Sequence, residues 1–293
     1  MRCVPFEPTA IAAYPSRSAW DAAAAELVAT MLERWRLTAL LPFTGGEGGS
    51  VLAVRTADGG DAVLKVGYPH VEAVDEAVGL EALGAALAPQ VLRQDAWTWS
   101  LLLERVRPGT PLSLVELHAD EALGIAMELH RRLRSVRVAV RPLAEVMLPF
   151  VEIAVRSPMG DDPEPVAEGL AVYRELLATP APRTLLHGDF NPGNVLEAGG
   201  RWRIIDPKPM LGDPAFDLPP MLDQVGDPWR RPDPERVLAD RVAALPDDPM
   251  RVARWAFARA ALDVSWYLED DDREGAAISL RRARGWRSIS AAL

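Results

Sequence analysis

Apolar side chains recur at helical spacing near the start of the chain. Trp20, Ala24, Leu27, Val28, Met31, Leu32 and Trp35 share one face, which predicts a helix over 17–40. The period then changes. Pro42-Phe-Thr-Gly-Gly-Glu-Gly-Gly-Ser50 reads as a glycine loop and residues 51–56 as a strand. Ala57-Asp-Gly-Gly60 is a hairpin turn, and residues 62–66 return as the partner strand. A second helix is predicted over 72–88, with Ala73, Ala77, Leu80 and Leu87 on one face. Residues 99–103 form an apolar strand that breaks into Glu104-Arg-Val-Arg-Pro-Gly-Thr110. From about 112 the spacing is mostly helical, through 113–135, 143–156, 164–178, 234–244 and 249–269. Two short strands interrupt it within 184–206. Proline clusters at 207–220 and 228–234 mark irregular backbone, and Asp270-Asp-Asp-Arg-Glu274 is a small charge run.

The chemistry concentrates where those helices are interrupted. An apolar run delivers His187-Gly-Asp189 into a loop rich in glycine and proline, Asn194 follows five positions later, and a second apolar strand delivers Asp206. Phosphoryl transfer from Mg-ATP needs such a set: a carboxylate facing the attacking hydroxyl, and oxygen donors for Mg²⁺. Asp189 is therefore the expected base, Asn194 and Asp206 the expected metal ligands, and His187 and Asp217 the expected supports of the loop. As a bland alternative, Asp189 is a turn residue. Asp213 is expected to cap a helix that Pro214 begins.

Upstream, the glycine loop (Gly46, Gly48, Gly49, Ser50) would let backbone N–H groups approach phosphates, though such a loop also serves as a plain hairpin entry. Lys65 alternates with Leu64 and Val66 and so faces away from them. A carboxylate on the next helix should hold it, Glu76 ahead of Glu72. Residues 103–106 read as a hinge at which backbone groups near Glu104 and Val106 would meet adenine. The order of glycine loop, lysine hairpin, glutamate helix and strand predicts a small lobe over 1–105. Residues 106–293 would be a helical lobe with the catalytic loop, the metal site and the substrate site.

Composition sharpens this reading. The chain has 293 residues, 49% hydrophobic and 25% charged, enough for a real core. A net charge of -10 argues against a nucleic-acid partner and suits a cationic substrate. A single cysteine, Cys3, forms no internal disulfide, and no apolar run reaches the length of a membrane span, so a soluble cytoplasmic protein is expected. Of the 32 basic residues only Lys65 and Lys208 are lysines. An ammonium and a guanidinium are not interchangeable between phosphate oxygens, so the two retained lysines point to a phosphate site.

Five stretches, in order over most of 40–270, resemble the aminoglycoside phosphotransferase family, and within it the streptomycin 6-kinase and hydroxyurea phosphotransferase group. They are Ala62-Val-Leu-Lys-Val66, the run from Leu102 to Leu112, His187-Gly-Asp-Phe-Asn-Pro-Gly-Asn194, Ile205-Asp-Pro-Lys208 with Gly212-Asp-Pro-Ala-Phe-Asp217, and Ala260 to Glu269. Gly188 stands where protein kinases carry an arginine, and Pro207 follows Asp206 where they carry Phe-Gly. The resemblance implies an α+β, two-lobed protein-kinase-like fold and an ATP- and Mg²⁺-dependent phosphotransferase, a monomer or weak dimer. In that family the residue matching Asp189 is the base, those matching Asn194 and Asp206 bind Mg²⁺, and the one matching Lys65 grips phosphate. Substrate recognition lies in the helical lobe, where Asp223, Asp263 and Glu269 are acidic candidates for an amino or guanidino group. Two other functions remain open: a metabolic kinase acting on an amino sugar, and a nucleotide-binding regulator without transferase activity.

Overall fold

The computed structural model describes residues 16–43 and 49–293. In chain order, α1 (Arg17–Trp35) is followed by β1 (Thr38–Phe43), β2 (Gly49–Arg55) and β3 (Asp61–Gly67). Then come α2 (Glu76–Leu83), β4 (Val91–Asp95) and β5 (Ser100–Glu104). Three long helices succeed them, α3 (Ala119–Leu133), α4 (Leu143–Ala154) and α5 (Pro163–Ala178). Four three-residue strands follow: β6 (Thr184–Leu186), β7 (Val195–Glu197), β8 (Trp202–Ile204) and β9 (Met210–Gly212). The chain ends in α6 (Pro219–Gln224), α7 (Pro234–Ala243), α8 (Pro249–Glu269) and α9 (Arg273–Ala292).

These elements form two compact units. The first takes residues 1–111 and 195–209, the second 112–194 and 210–293. The chain thus enters the second unit at 112 and returns to the first for β7, β8 and Asp206, a segment that a single cut at 105 would assign elsewhere.

The first unit is a five-stranded antiparallel sheet of order β1-β2-β3-β5-β4. One face is covered by α1, whose Trp20, Ala24, Met31 and Trp35 pack on Val54, Ala62, Leu64, Val66 and Leu102. Ser16 caps the helix by accepting the N–H of Ala19. It ends five residues before the predicted stop, because Arg36 turns into the left-handed region (φ 54°) and its N–H closes back on Glu33. The chain then runs into β1, a strand rather than a helix or loop, exposed at all six positions on the sheet edge. The predicted helix over 72–88 is likewise shorter: a single turn at Val71–Ala73, then α2, which stops at Gly84.

In the second unit the core lies among α4, α5, α8 and α9, with Tyr173, Phe216 and Trp255 meeting edge to face at 5.2–6.5 Å. β6 pairs antiparallel with β9, which fixes where the loop after Leu186 begins. The charge run near 270 is not the end of structure: Asp272 accepts the N–H of Gly275 and caps α9. No helix among the described residues is long and apolar enough to cross a membrane.

Candidate active site

Lys65 sits in the middle of β3, paired with Val51 on one side and Leu101 on the other. Leu64 and Val66 join the α1 core, so alternation turns Lys65 to the opposite face. There it is 8% exposed and donates to Glu76 Oε1 at 2.6 Å and to Asp206 Oδ1. Of the two glutamates considered, Glu76 at the start of α2 is the one bonded to Lys65; Glu72 lies in the preceding turn. Burial pushes the Lys65 ammonium down, but the Glu76 and Asp206 carboxylates outweigh it and hold its pKa above the ordinary value. Burial pushes the Glu76 carboxyl up, against the pull of Lys65. One cation is thus shared between two acids. Asp206 itself follows β8 with φ 57°, a backbone region sparsely used outside glycine and common at functional sites.

The remaining nucleotide candidates of this unit are more ordinary. Glu104 Oε1 accepts from Arg203 at 2.7 Å, its Oε2 accepts the N–H of Gln90 at 3.2 Å, and its own N–H donates to Gln90 O at 2.9 Å. That N–H is therefore committed to the chain. Val106 is buried. Gly49 opens β2 opposite Gly67, with Ser50 opposite Val66. Gly46 and Gly48 lie outside the described residues.

In the second unit, β6 delivers the His187–Asn194 loop. Asp217 is fully buried and accepts the N–H groups of His187 at 2.6 Å and Gly188 at 2.9 Å. Gly188 has φ 83°, which a side chain would strain. His187 Nδ1 accepts the N–H of Asp189 at 3.3 Å, which leaves the ring proton on Nε2. Asn191 then ties the turn: its Oδ1 accepts from Gly193 (2.8 Å) and Asn194 (3.2 Å), and its Nδ2 donates to Asp189 Oδ1 at 3.0 Å. Asn194 Nδ2 donates to Asp189 O at 2.9 Å and to Oδ2 at 3.2 Å. Both carboxylate oxygens of Asp189 accept from side-chain amides, which aim the group. Burial pushes Asp217 up to about 6, opposed by the two backbone N–H groups and by Arg259.

Asp213 caps the turn at Pro214–Asp217 through the N–H of Ala215, and also takes Arg251 and, at 2.6 Å, the indole N–H of Trp255. The acidic candidates divide. Asp223 accepts the indole N–H groups of Trp229 (2.7 Å) and Trp286 (2.9 Å). Burial pushes Asp263 up to about 6; Arg259 and Arg282 oppose this, while Asp223 and Asp189 add to it, so Asp263 stands in the field of the Asp189 carboxylate. Glu269 is exposed at the end of α8 and bonds Ser157 instead. Sequence reasoning passed over Asn191 and Arg259. An Asn directly before Pro-Gly is a turn signal that points to the first; nothing local marks the second.

A sheet-borne lysine paired with a helix glutamate in one unit, and an amide-aimed aspartate loop in the other, belong to the two-lobed, α+β kinase-like enzymes that phosphorylate small molecules. A model of the aminoglycoside/hydroxyurea antibiotic resistance kinases matches residues 34–271, and the chain belongs to that family. It is similar to a streptomycin 6-kinase of Streptomyces glaucescens, 35% identical over 280 residues that cover 90% of each chain. It is also similar to a hydroxyurea phosphotransferase of Kitasatospora aureofaciens, 37% identical over 254 residues, covering 84% of this chain and 73% of the relative. Among solved structures, the aminoglycoside phosphotransferase APH(4)-Ia in ternary complex with ADP and hygromycin B shares the fold. Its TM-score is 0.66 at 18% identity, over 90% of this chain and 98% of that one.

Proposed function

We propose that the protein transfers the γ-phosphate of ATP to a hydroxyl of a small cationic acceptor, an aminoglycoside such as streptomycin, and so inactivates it. The observation that carries this reading is the Lys65 ammonium shared between Glu76 and Asp206. It is a firmly seated cation for phosphate oxygens, beside a carboxylate suited to the metal that accompanies them. Mg²⁺ favours oxygen donors and takes only one or two carboxylates along with phosphate oxygens. Asp206 fits that need. Asn194 fits it too, since its Nδ2 is committed to Asp189 and Oδ1 is left for a metal. Bound there, Mg²⁺ would neutralise charge on the phosphate oxygens.

Asp189 accepts the hydrogen bond of the acceptor hydroxyl and takes its proton as the oxygen bonds to the γ-phosphorus and the bond from that phosphorus to the bridging oxygen breaks, releasing ADP. The amides of Asn191 and Asn194 keep both carboxylate oxygens aimed during that step. Asp263 orients a positively charged acceptor. Asp223 is spent on two indoles, and the exposed Glu269 has the least claim. The streptomycin 6-kinase relative at 35% identity supports the acceptor class, the hydroxyurea relative at 37% supports phosphate transfer to a small molecule, and the neighbour solved with ADP supports a nucleotide donor. The reading places the protein in the cytoplasm, where ATP is supplied, as a monomer or weak dimer.

The test is phosphate transfer from labelled ATP to streptomycin, other aminoglycosides, hydroxyurea and amino sugars, with mass spectrometry of each product. Phosphorylated streptomycin is expected. Turnover on amino sugars alone would move the function to metabolism. Nucleotide binding with no turnover on any acceptor would leave a regulator.

A further inference from the structure

Lys208, the second of the two lysines, stands two residues after Asp206 in the segment Pro207-Lys208-Pro209. Both prolines are buried while Lys208 is half-buried. Proline rings fix φ on either side, and a residue before proline is confined to extended backbone, so Lys208 is presented on a stiff strap. The strap is anchored on α2. A methyl group at Gly79 would come within 2.8 Å of Pro209 Cγ and 2.9 Å of its Cβ, so the ring lies on bare helix backbone that only glycine provides. Gly79 is three residues beyond Glu76 on the same helix.

That anchor brings Lys208 into one electrostatic cluster with Lys65. The charges of both lysines act on Glu76 and on His70, which Glu72 also faces. His70 is held by its Nδ1 at 2.8 Å from Tyr68 O and stacks on the Tyr68 ring. Within the cluster, Lys65 already serves two carboxylates, Glu76 and Asp206. A triphosphate arriving there adds more negative charge than one shared ammonium and a divalent ion offset. A second compact cation on a stiff support answers that need, and with the inner phosphates given to Lys65 it falls to the far end of the phosphate chain.

We propose that Lys208 is a second phosphate-binding cation, held by the Pro207–Pro209 strap against Gly79, which meets the terminal phosphoryl group while Lys65 takes the inner phosphates. This role rests on the proposed binding of ATP.

The experiment is titration calorimetry of the full chain with Mg-ADP and with the unhydrolysed triphosphate analogue Mg-AMP-PNP, on the wild type, Lys208→Met, Lys208→Arg and Gly79→Ala. Lys208→Met should weaken AMP-PNP about tenfold or more, the scale of one charge-assisted contact, while ADP changes less than about threefold. Lys208→Arg should recover part of that difference, and Gly79→Ala, which displaces the strap and keeps the charge, should reproduce part of the loss. A merely structural role would weaken both nucleotides alike. Equal loss for both, or none, in Lys208→Met overturns the proposal; should that variant not fold, Lys208→Gln, which also removes the charge, is read by the same criterion. Wild-type protein that binds neither nucleotide overturns the nucleotide reading as well, whereas ADP binding with unaltered discrimination sinks only the role of Lys208.

Discussion

The two units hold their functional side chains by different means. In the first, Lys65, Glu76 and Asp206 are held by charge, across sheet, helix and a returning segment. In the second, Asp189 is held by neutral amides and by backbone N–H groups turned toward Asp217. Loss of a buried cation shared by two acids leaves both of them uncompensated, whereas loss of one acid leaves the cation paired with the other. Amide donors aim a carboxylate and favour its charged form. The contrast matches the work proposed for each: gripping charge on one side, moving a proton on the other.

The sharpest break in that comparison is Asp189→Asn. It should cut turnover about 10²–10⁴-fold while nucleotide affinity by calorimetry stays nearly intact; near-normal turnover would remove Asp189 as the base. Next comes Glu76→Ala, which leaves Lys65 with Asp206 alone. It should cost about 1.5–3 kcal/mol of stability in urea unfolding, the scale of one charge-assisted hydrogen bond, and an unchanged midpoint would show that the pair is dispensable. Lys65→Arg keeps the charge but not the shape and should still impair turnover at least tenfold. A silent swap would dissolve the argument from scarce lysines.

Asn191→Ala unties the N–H groups of Gly193 and Asn194. It should cost about 1–2 kcal/mol and lower turnover, with nucleotide affinity unchanged. The smallest effects are in pH. Asp217 has its native pKa raised to about 6, so its contribution to stability is greatest under acid conditions and is lost as pH rises through about 6. Asp217→Asn should flatten that slope in thermal melts. Asp263, also near 6, must be ionised to hold a cation, so acceptor affinity should weaken as pH falls below about 6. An Asp263→Asn variant with the same pH dependence as wild type would show that the titration lies elsewhere.

How much of this the sequence displayed depends on the distance over which each feature is held. The Asp189 loop is legible because its bonds run between residues two to five apart, within Asn-Pro-Gly-Asn. Lys65 and Glu76 are eleven residues apart and could be paired by placing a strand before a helix. Lys65 and Asp206 lie 141 residues apart and share no local signal; only motif order joined them. The fold shows the same gradient. Helices α3, α4, α5, α7 and α8 follow apolar spacing. β1 is not legible because all six residues are exposed, so its leucines carry no alternation and extend the apolar spacing of the helix before them. In α9, the acidic residues that open the helix at Asp272 and Glu274 looked like solvated charge.

The economy in lysine has a practical corollary. Amine-acylating reagents find two ε-amino groups on this chain, and the strand-borne one is 8% exposed beneath its carboxylates. A brief pulse of such a reagent should therefore mark the strap lysine in preference. Peptide mapping with and without nucleotide would then read occupancy of the phosphate site as a footprint at one residue, with no substitution made.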